Sequence, residues 1–178
     1  PRTGLPAGVH SLPGRSEETA GQMKKVVIHT DGACHGNPGP GGWAAILEYG
    51  PHRRELCGGF AETTNNRMEL FAAIAALEAL KEPCEVALHS DSSYLVNAVS
   101  RRWLERWNRC GWRKADKQPV LNADLWKRLL RQLERHRVNP VWVKGHADHA
   151  GNVRCDELAG EAARRTNLPR DSGFSPGE

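Results

Sequence analysis

Long apolar runs are missing from this 178-residue chain. No stretch approaches the roughly 18 residues that a membrane-crossing helix needs, and the mean hydropathy is −0.61. Paired cysteines of C-x-x-C spacing are absent too. The five cysteines, Cys34, Cys57, Cys84, Cys110 and Cys155, are odd in number and widely spread, which fits neither a disulfide framework nor a thiolate zinc site. A reducing, cytoplasmic setting is expected. Residues 1–22 have no apolar h-region, so a secretory signal is not expected. No internal repeat and no dividing linker interrupt the middle of the chain. The expected organisation is one domain over residues 23–166, between disordered tails at 1–22 and 167–178 that are rich in Pro, Gly and Ser.

What is present is unevenly distributed. The net charge is only +4, yet seven basic residues (Arg101, Arg102, Arg106, Arg109, Arg113, Lys114 and Lys117) stand against Glu105 and Asp116 within residues 101–117. That segment alone carries a net +5, and it includes Trp103, Trp107 and Trp112. A concentrated positive patch with interleaved aromatics suits a polyanion better than a merely solvated helix face does.

Hydrophobic patterning predicts a strand over residues 25–30 that ends at Asp31, a tight turn through the glycine-rich residues 36–42, and a hairpin formed by strands 43–49 and 55–61. Apolar residues at helical spacing from Met68 to Leu80 predict a helix over 66–81. A strand at 85–90 ends in a second acid, Asp91, and a helix follows from Ser93. Beyond the basic segment come a helix near 123–135, a strand at 137–143 and a last helix from about 152 to 165. Three strands followed by alternating helices and strands describe an α/β fold with a mixed five-stranded sheet, three strands antiparallel and then two parallel, flanked by helices.

Each acid taken alone has an ordinary explanation. Asp31 and Asp91 suit turns, Glu69 stands three residues after Asn66 as in an N-terminal capping box, and Asp156 reads as a helix-surface carboxylate. Two strand ends carrying aspartates change the balance if the strands are neighbours, because the carboxylates repel unless a cation joins them. His146 lies in a polar loop after the last strand, where its function depends on a nearby proton-transfer task.

Taken together, TDGACHGNPGPGG (30–42), TTNNRMEL (63–70), SDS (90–92) and KGHADHAGNVRCDELA (144–159) resemble the type 1 ribonuclease H family of bacteria, over about residues 24–165. The resemblance implies a ribonuclease H-like fold and a metal-dependent endonuclease that cleaves the RNA strand of RNA–DNA hybrids, leaving 5′-phosphate and 3′-hydroxyl ends. It implies Asp31, Glu69, Asp91 and Asp156 as ligands of two Mg²⁺ ions, with Mn²⁺ as a possible substitute, and His146 as a helper in proton transfer or product departure. It places Cys34 and Asn37 in a loop against the minor groove, Asn65 near the ribose hydroxyls, and Thr64 and Asn122 at a DNA-strand phosphate. Residues 100–118 resemble the basic handle of bacterial members, with Arg101, Arg102 and Arg106 facing phosphates and Trp103, Trp107 and Trp112 packing or resting on a sugar. The chain departs from the family pattern at Asp148-His149-Ala150-Gly151 and at Glu62, which stands where a basic residue occurs. The expected partner is the hybrid duplex, with no membrane and a monomeric protein. The competing reading is a hybrid-binding module of weak catalysis.

Overall fold

The β-branched run at residues 26–28 starts a strand that does not stop at Asp31 but continues to Cys34. The structure, a computed structural model, describes residues 21–145 and 149–176. Strand β1 (Lys24–Cys34) pairs antiparallel with β2 (Gly39–Tyr49), and β2 pairs antiparallel with β3 (His52–Thr63). Helix α1 (Asn65–Glu78) leads to β4 (Cys84–Ser90), which runs parallel to β1. Helices α2 (Ser93–Ser100), α3 (Trp103–Arg109) and α4 (Ala123–Arg135) precede β5 (Arg137–Trp142), parallel to β4, and α5 (Ala150–Ala163) follows. The order β3-β2-β1-β4-β5 is the mixed sheet that the sequence predicts.

Side chains alternate across the sheet. Val26, Ile28, Ala45 and Leu47 pack with Leu70, Ile74 and Leu77 of α1 on one face, while Ala44 and Ile46 pack with Cys155, Leu158 and Ala159 of α5 on the other. Burying each large aliphatic side chain contributes about 1.5–3 kcal/mol, so α1, with Met68, Leu70, Ile74 and Leu77 all at 0% exposure, is the central pillar. Its first turn is capped by the Thr64 hydroxyl, which accepts from the Arg67 amide, and not by Asn66 as the spacing suggests.

Glycines set the depth of packing at two places. A Cβ on Gly32 would come within 2.5 Å of the Glu69 amide nitrogen, so only bare backbone lets the start of α1 lie on β1. A Cβ on Gly42 would lie 2.0 Å from the Ala159 carbonyl oxygen, so β2 and α5 meet main chain to main chain. This corrects the predicted turn: β2 begins at Gly39, and the turn is confined to residues 35–38.

The C-terminal expectation also needs correction. The segment after α5 is docked, with the Ala61 amide donating to the Pro169 carbonyl at 2.8 Å and Asp171 buried at 6% exposure. Its polar composition hides a buried ion pair with a residue far away in the chain. Of the predicted N-terminal tail, residues 1–20 lie outside the described residues. Among the described residues no helix is long and apolar enough to cross a membrane.

Candidate active site

The parallel ladder between β1 and β4 ends at His29 and His89, whereas β1 and β2 stay paired as far as Cys34 and Gly41. The sheet therefore opens just where Asp31 sits on β1 and Asp91 follows β4. Glu69 reaches the same place from α1, carried there by the close approach over Gly32. Carboxylate oxygens of Asp31, Glu69 and Asp91 all lie within 4.8 Å of one another. The structure thus brings together three of the four acids singled out in the sequence.

Electrostatics makes this cluster unstable without a counter-charge. Two carboxylates at that separation repel by about 3–4 kcal/mol at an effective dielectric of about 20. Burial, and then the charge of Asp91, pushes the Asp31 carboxyl up to about 7 from an ordinary 3.8, although the Gly32 amide donates to its Oδ1 at 2.8 Å and a hydrogen bond with Glu69 opposes the rise. Glu69 is raised well above its ordinary value, chiefly by burial and then by the charges of Asp31 and Asp91. Its Oε2 is buried and has no hydrogen-bond partner among the described residues. Asp156, half-buried on α5, acts on the cluster through its charge, which also raises Asp31. Helix α5 is held in register by Asn152, whose Oδ1 lies 3.0 Å from His29 Nδ1 and whose Nδ2 donates to the Thr30 carbonyl at 3.4 Å.

Asp91 is shaped by the end of β5. The Val143 amide donates to the Ser90 carbonyl at 3.0 Å, and the Trp142 indole N–H donates to the Asp91 carbonyl at 3.2 Å. A Cβ on Gly145 would stand 2.6 Å from Asp91 Oδ2. His146 and Asp148 lie outside the described residues.

A second group of predicted residues gathers at the N-terminus of α1. Asn37 Oδ1 accepts from the Asn65 amide at 3.2 Å, and Asn37, Thr64 and Asn122 line one pocket of about 260 Å³. Cys34 donates to the carbonyls of Gly39 and Thr63, and burial pushes its thiol up. This turns Cys34 inward as a strut of the loop.

The predicted handle forms a third group. Trp103 and Trp107 lie 5.8 Å apart between ring centroids with their planes tilted by 52°, and Trp107 rests against fully buried Trp126 at 5.6 Å. The aromatic pair thus anchors α3 on α4. Arg101, Arg102 and Arg106 are exposed around it. Trp112 donates to Asn108 Oδ1 at 3.2 Å and lies under the Lys127 ammonium.

Three structural participants, Trp142, Arg67 and Asp171, were not singled out in the sequence, although Arg67 lies within the TTNNRMEL string. Each acts through a partner 50 or more residues away.

A mixed sheet of this order, with acids gathered where the first and fourth strands part, defines the ribonuclease H-like class of fold. The ribonuclease H family profile matches residues 23–164. Ribonuclease H of Moorella thermoacetica is 59% identical over 150 residues, covering 83% of this chain and 99% of that one. Ribonuclease H of Syntrophus aciditrophicus is 55% identical over 152 residues, 85% and 88% of the two chains. The crystal structure of a type 1 RNase H with the type 2 active-site motif aligns with a TM-score of 0.71 at 31% identity, covering 80% of this chain and 73% of that one. An RNase H1 in complex with an RNA/DNA hybrid aligns at 0.57 with 26% identity, covering 78% and 96%. The chain belongs to the ribonuclease H family and is a nuclease of the hydrolase class.

Proposed function

We propose that this enzyme hydrolyses the RNA strand of RNA–DNA hybrids with two Mg²⁺ ions, leaving 5′-phosphate and 3′-hydroxyl ends. The observation that carries the reading is the cluster of Asp31, Glu69 and half-buried Asp91, in which the buried Glu69 Oε2 has no hydrogen-bond partner among the described residues, in a chain of this family. An all-oxygen donor set suits a hard divalent cation, Mg²⁺ first and Mn²⁺ as a substitute.

Asp31, Glu69, Asp91 and Asp156 would hold the metal. Bound there, magnesium supplies the charge that makes a water nucleophilic and stabilises the departing 3′ oxygen. The chain's own residues do the rest. The Gly32 amide fixes one oxygen of Asp31. Trp142 braces the main chain of Asp91, and the bare backbone of Gly145 leaves room for its carboxylate. His146, as the family resemblance implies, would assist proton transfer or product departure. Asn37 and Asn65 present polar groups to the minor groove, where the 2′-hydroxyl distinguishes RNA from DNA. Thr64 and Asn122 receive a phosphate of the DNA strand, and Arg101, Arg102 and Arg106 steer the duplex. The enzyme acts as a monomer in the cytoplasm.

The test compares a uniform hybrid with all-RNA and all-DNA duplexes, with and without Mg²⁺. Cleavage confined to the RNA strand of the hybrid, and abolished by chelation, is the expected result. Equal cleavage of all three duplexes, or cleavage that survives chelation, overturns it.

A further inference from the structure

Arg67 is 2% exposed in the first turn of α1 and spends every N–H it has. Its Nε and Nη2 donate to the two oxygens of Asp171 at 2.7 and 2.9 Å. Its Nη2 and Nη1 donate to the two oxygens of Asp124 at 2.7 and 2.9 Å, and the remaining Nη1 hydrogen goes to Asn122 Oδ1 at 3.4 Å. A guanidinium has five N–H groups in a fixed planar fork, so this set is saturated and its geometry is rigid. With Oδ1 committed to Arg67, the donating Nδ2 is the end of Asn122 left for a ligand in the pocket it shares with Asn37 and Thr64.

The two counter-charges are not equivalent. The Asp124 side chain is 44% exposed, whereas that of Asp171 is 7% exposed and also accepts from the Thr63 hydroxyl at 2.7 Å. Burial alone would raise Asp171, but the hydrogen bonds from Arg67 and Thr63 outweigh it and hold the carboxyl below its ordinary value. Asp171 is therefore the fixed anchor. It stands beyond residues 23–164, the part matched by the family profile. The chain around it reaches the pocket as well: Gly173, Phe174 and Ser175 form one wall. A Cβ on Gly173 would meet Asp124 Oδ2 at 2.0 Å and Arg67 Nη2 at 2.7 Å, so the segment is pressed onto the ion cluster.

We propose that residues 168–175 are a positioning element for nucleic-acid binding, in which Asp171, acting through Arg67, aims the Asn122 amide at a backbone phosphate of the DNA strand. This rests on the hybrid being the substrate. Asp171 is a positioning residue and touches no reacting atom.

The experiment is a double-mutant cycle of Asp171→Asn and Asn122→Ala, reading KM and kcat on a uniform RNA–DNA hybrid between about 50 and 200 mM salt. Each single variant is expected to raise KM several-fold with kcat reduced less than twofold; because the Asn122 amide is neutral and displaces no counterion, Asn122→Ala should raise KM by a similar factor at every salt concentration. The double variant should be no worse than Asn122→Ala alone. A lowered Tm in Asp171→Asn with KM as in the parent overturns the inference, as do additive effects in the double variant. Asn122→Ala without effect on KM removes the phosphate pocket from the proposed function itself, and the inference falls with it. Should Asp171→Asn fail to fold, Asp171→Glu keeps the buried charge, displaces it by one methylene, and carries the same readout at smaller amplitude.

Discussion

The indole N–H of Trp142 is hydrogen-bonded to the main-chain carbonyl of Asp91, 3.2 Å away, while the indole itself is 55% exposed. The last residue of β5 thereby braces the strand end that carries a candidate metal ligand, and the bond has a measurable worth. A neutral hydrogen bond contributes about 1 kcal/mol net, so Trp142→Phe, which keeps an aromatic face but removes the donor, should lower kcat by about fivefold with KM little changed. Trp142→Ala should do at least the same. Steady-state kinetics checks this, and a Phe variant with parental kcat rejects the brace.

Metal-free stability should depend on pH in a direction opposite to that of an ordinary salt-bridged carboxylate. Asp31 titrates at about 7 in the folded protein against an ordinary 3.8, and Glu69 is displaced the same way. Between about pH 4 and 7 the folded state retains protons that the unfolded chain has released, so stability falls as pH rises through that window. Asp31 accounts for at most about 4 kcal/mol of the fall. Urea midpoints in chelator at pH 5 and pH 8 test it. Added Mg²⁺ should raise the midpoint at pH 8 far more than at pH 5, and a flat profile without metal counts against the raised values.

Asp31→Asn should separate chemistry from folding. Cleavage is expected to fall on the order of 10³-fold, equivalent to about 4 kcal/mol of barrier, while hybrid affinity stays within a few-fold. The same change removes repulsion, so the metal-free variant should be more stable than its parent at pH 8. Turnover close to that of the parent would refute the assignment.

Replacing Arg101, Arg102 and Arg106 together by alanine should raise KM and flatten its salt dependence by about two to three contacts, with kcat within about twofold. Arg102 pairs with Glu105, but its side chain is 78% exposed, and such a pair contributes little to stability. Thermal melts should therefore barely move. A parental salt slope excludes the handle as an electrostatic contact.

Asp31, Glu69, Asp91 and Asp156 each have an ordinary local explanation, and what singled them out in the sequence was their place in strings that resemble the family; of the four, the structure brings Asp31, Glu69 and Asp91 within 4.8 Å of one another. What failed were choices between local equals. Thr64 and Asn66 are both good N-cap residues, and only the burial of Glu69, which removes it from a capping box, decides for Thr64. The glycines of residues 39–42 read as a turn because glycine weakens isolated strands. They form strand because neighbours pack on bare backbone there, Thr63 and Met68 at Gly41 and α5 at Gly42. Asp171 was illegible for a different reason: its partner Arg67 is 104 residues away, and nothing local distinguishes a buried aspartate from a solvated one.

The contact between Gly42 and the Ala159 carbonyl gives the enzyme an inconspicuous point of failure. One added methyl group there would force α5 off the sheet and carry Asp156 with it. Such a lesion would silence the nuclease while every charged side chain stayed in the gene, so a clinical-style scan of ionisable positions alone would pass it as harmless.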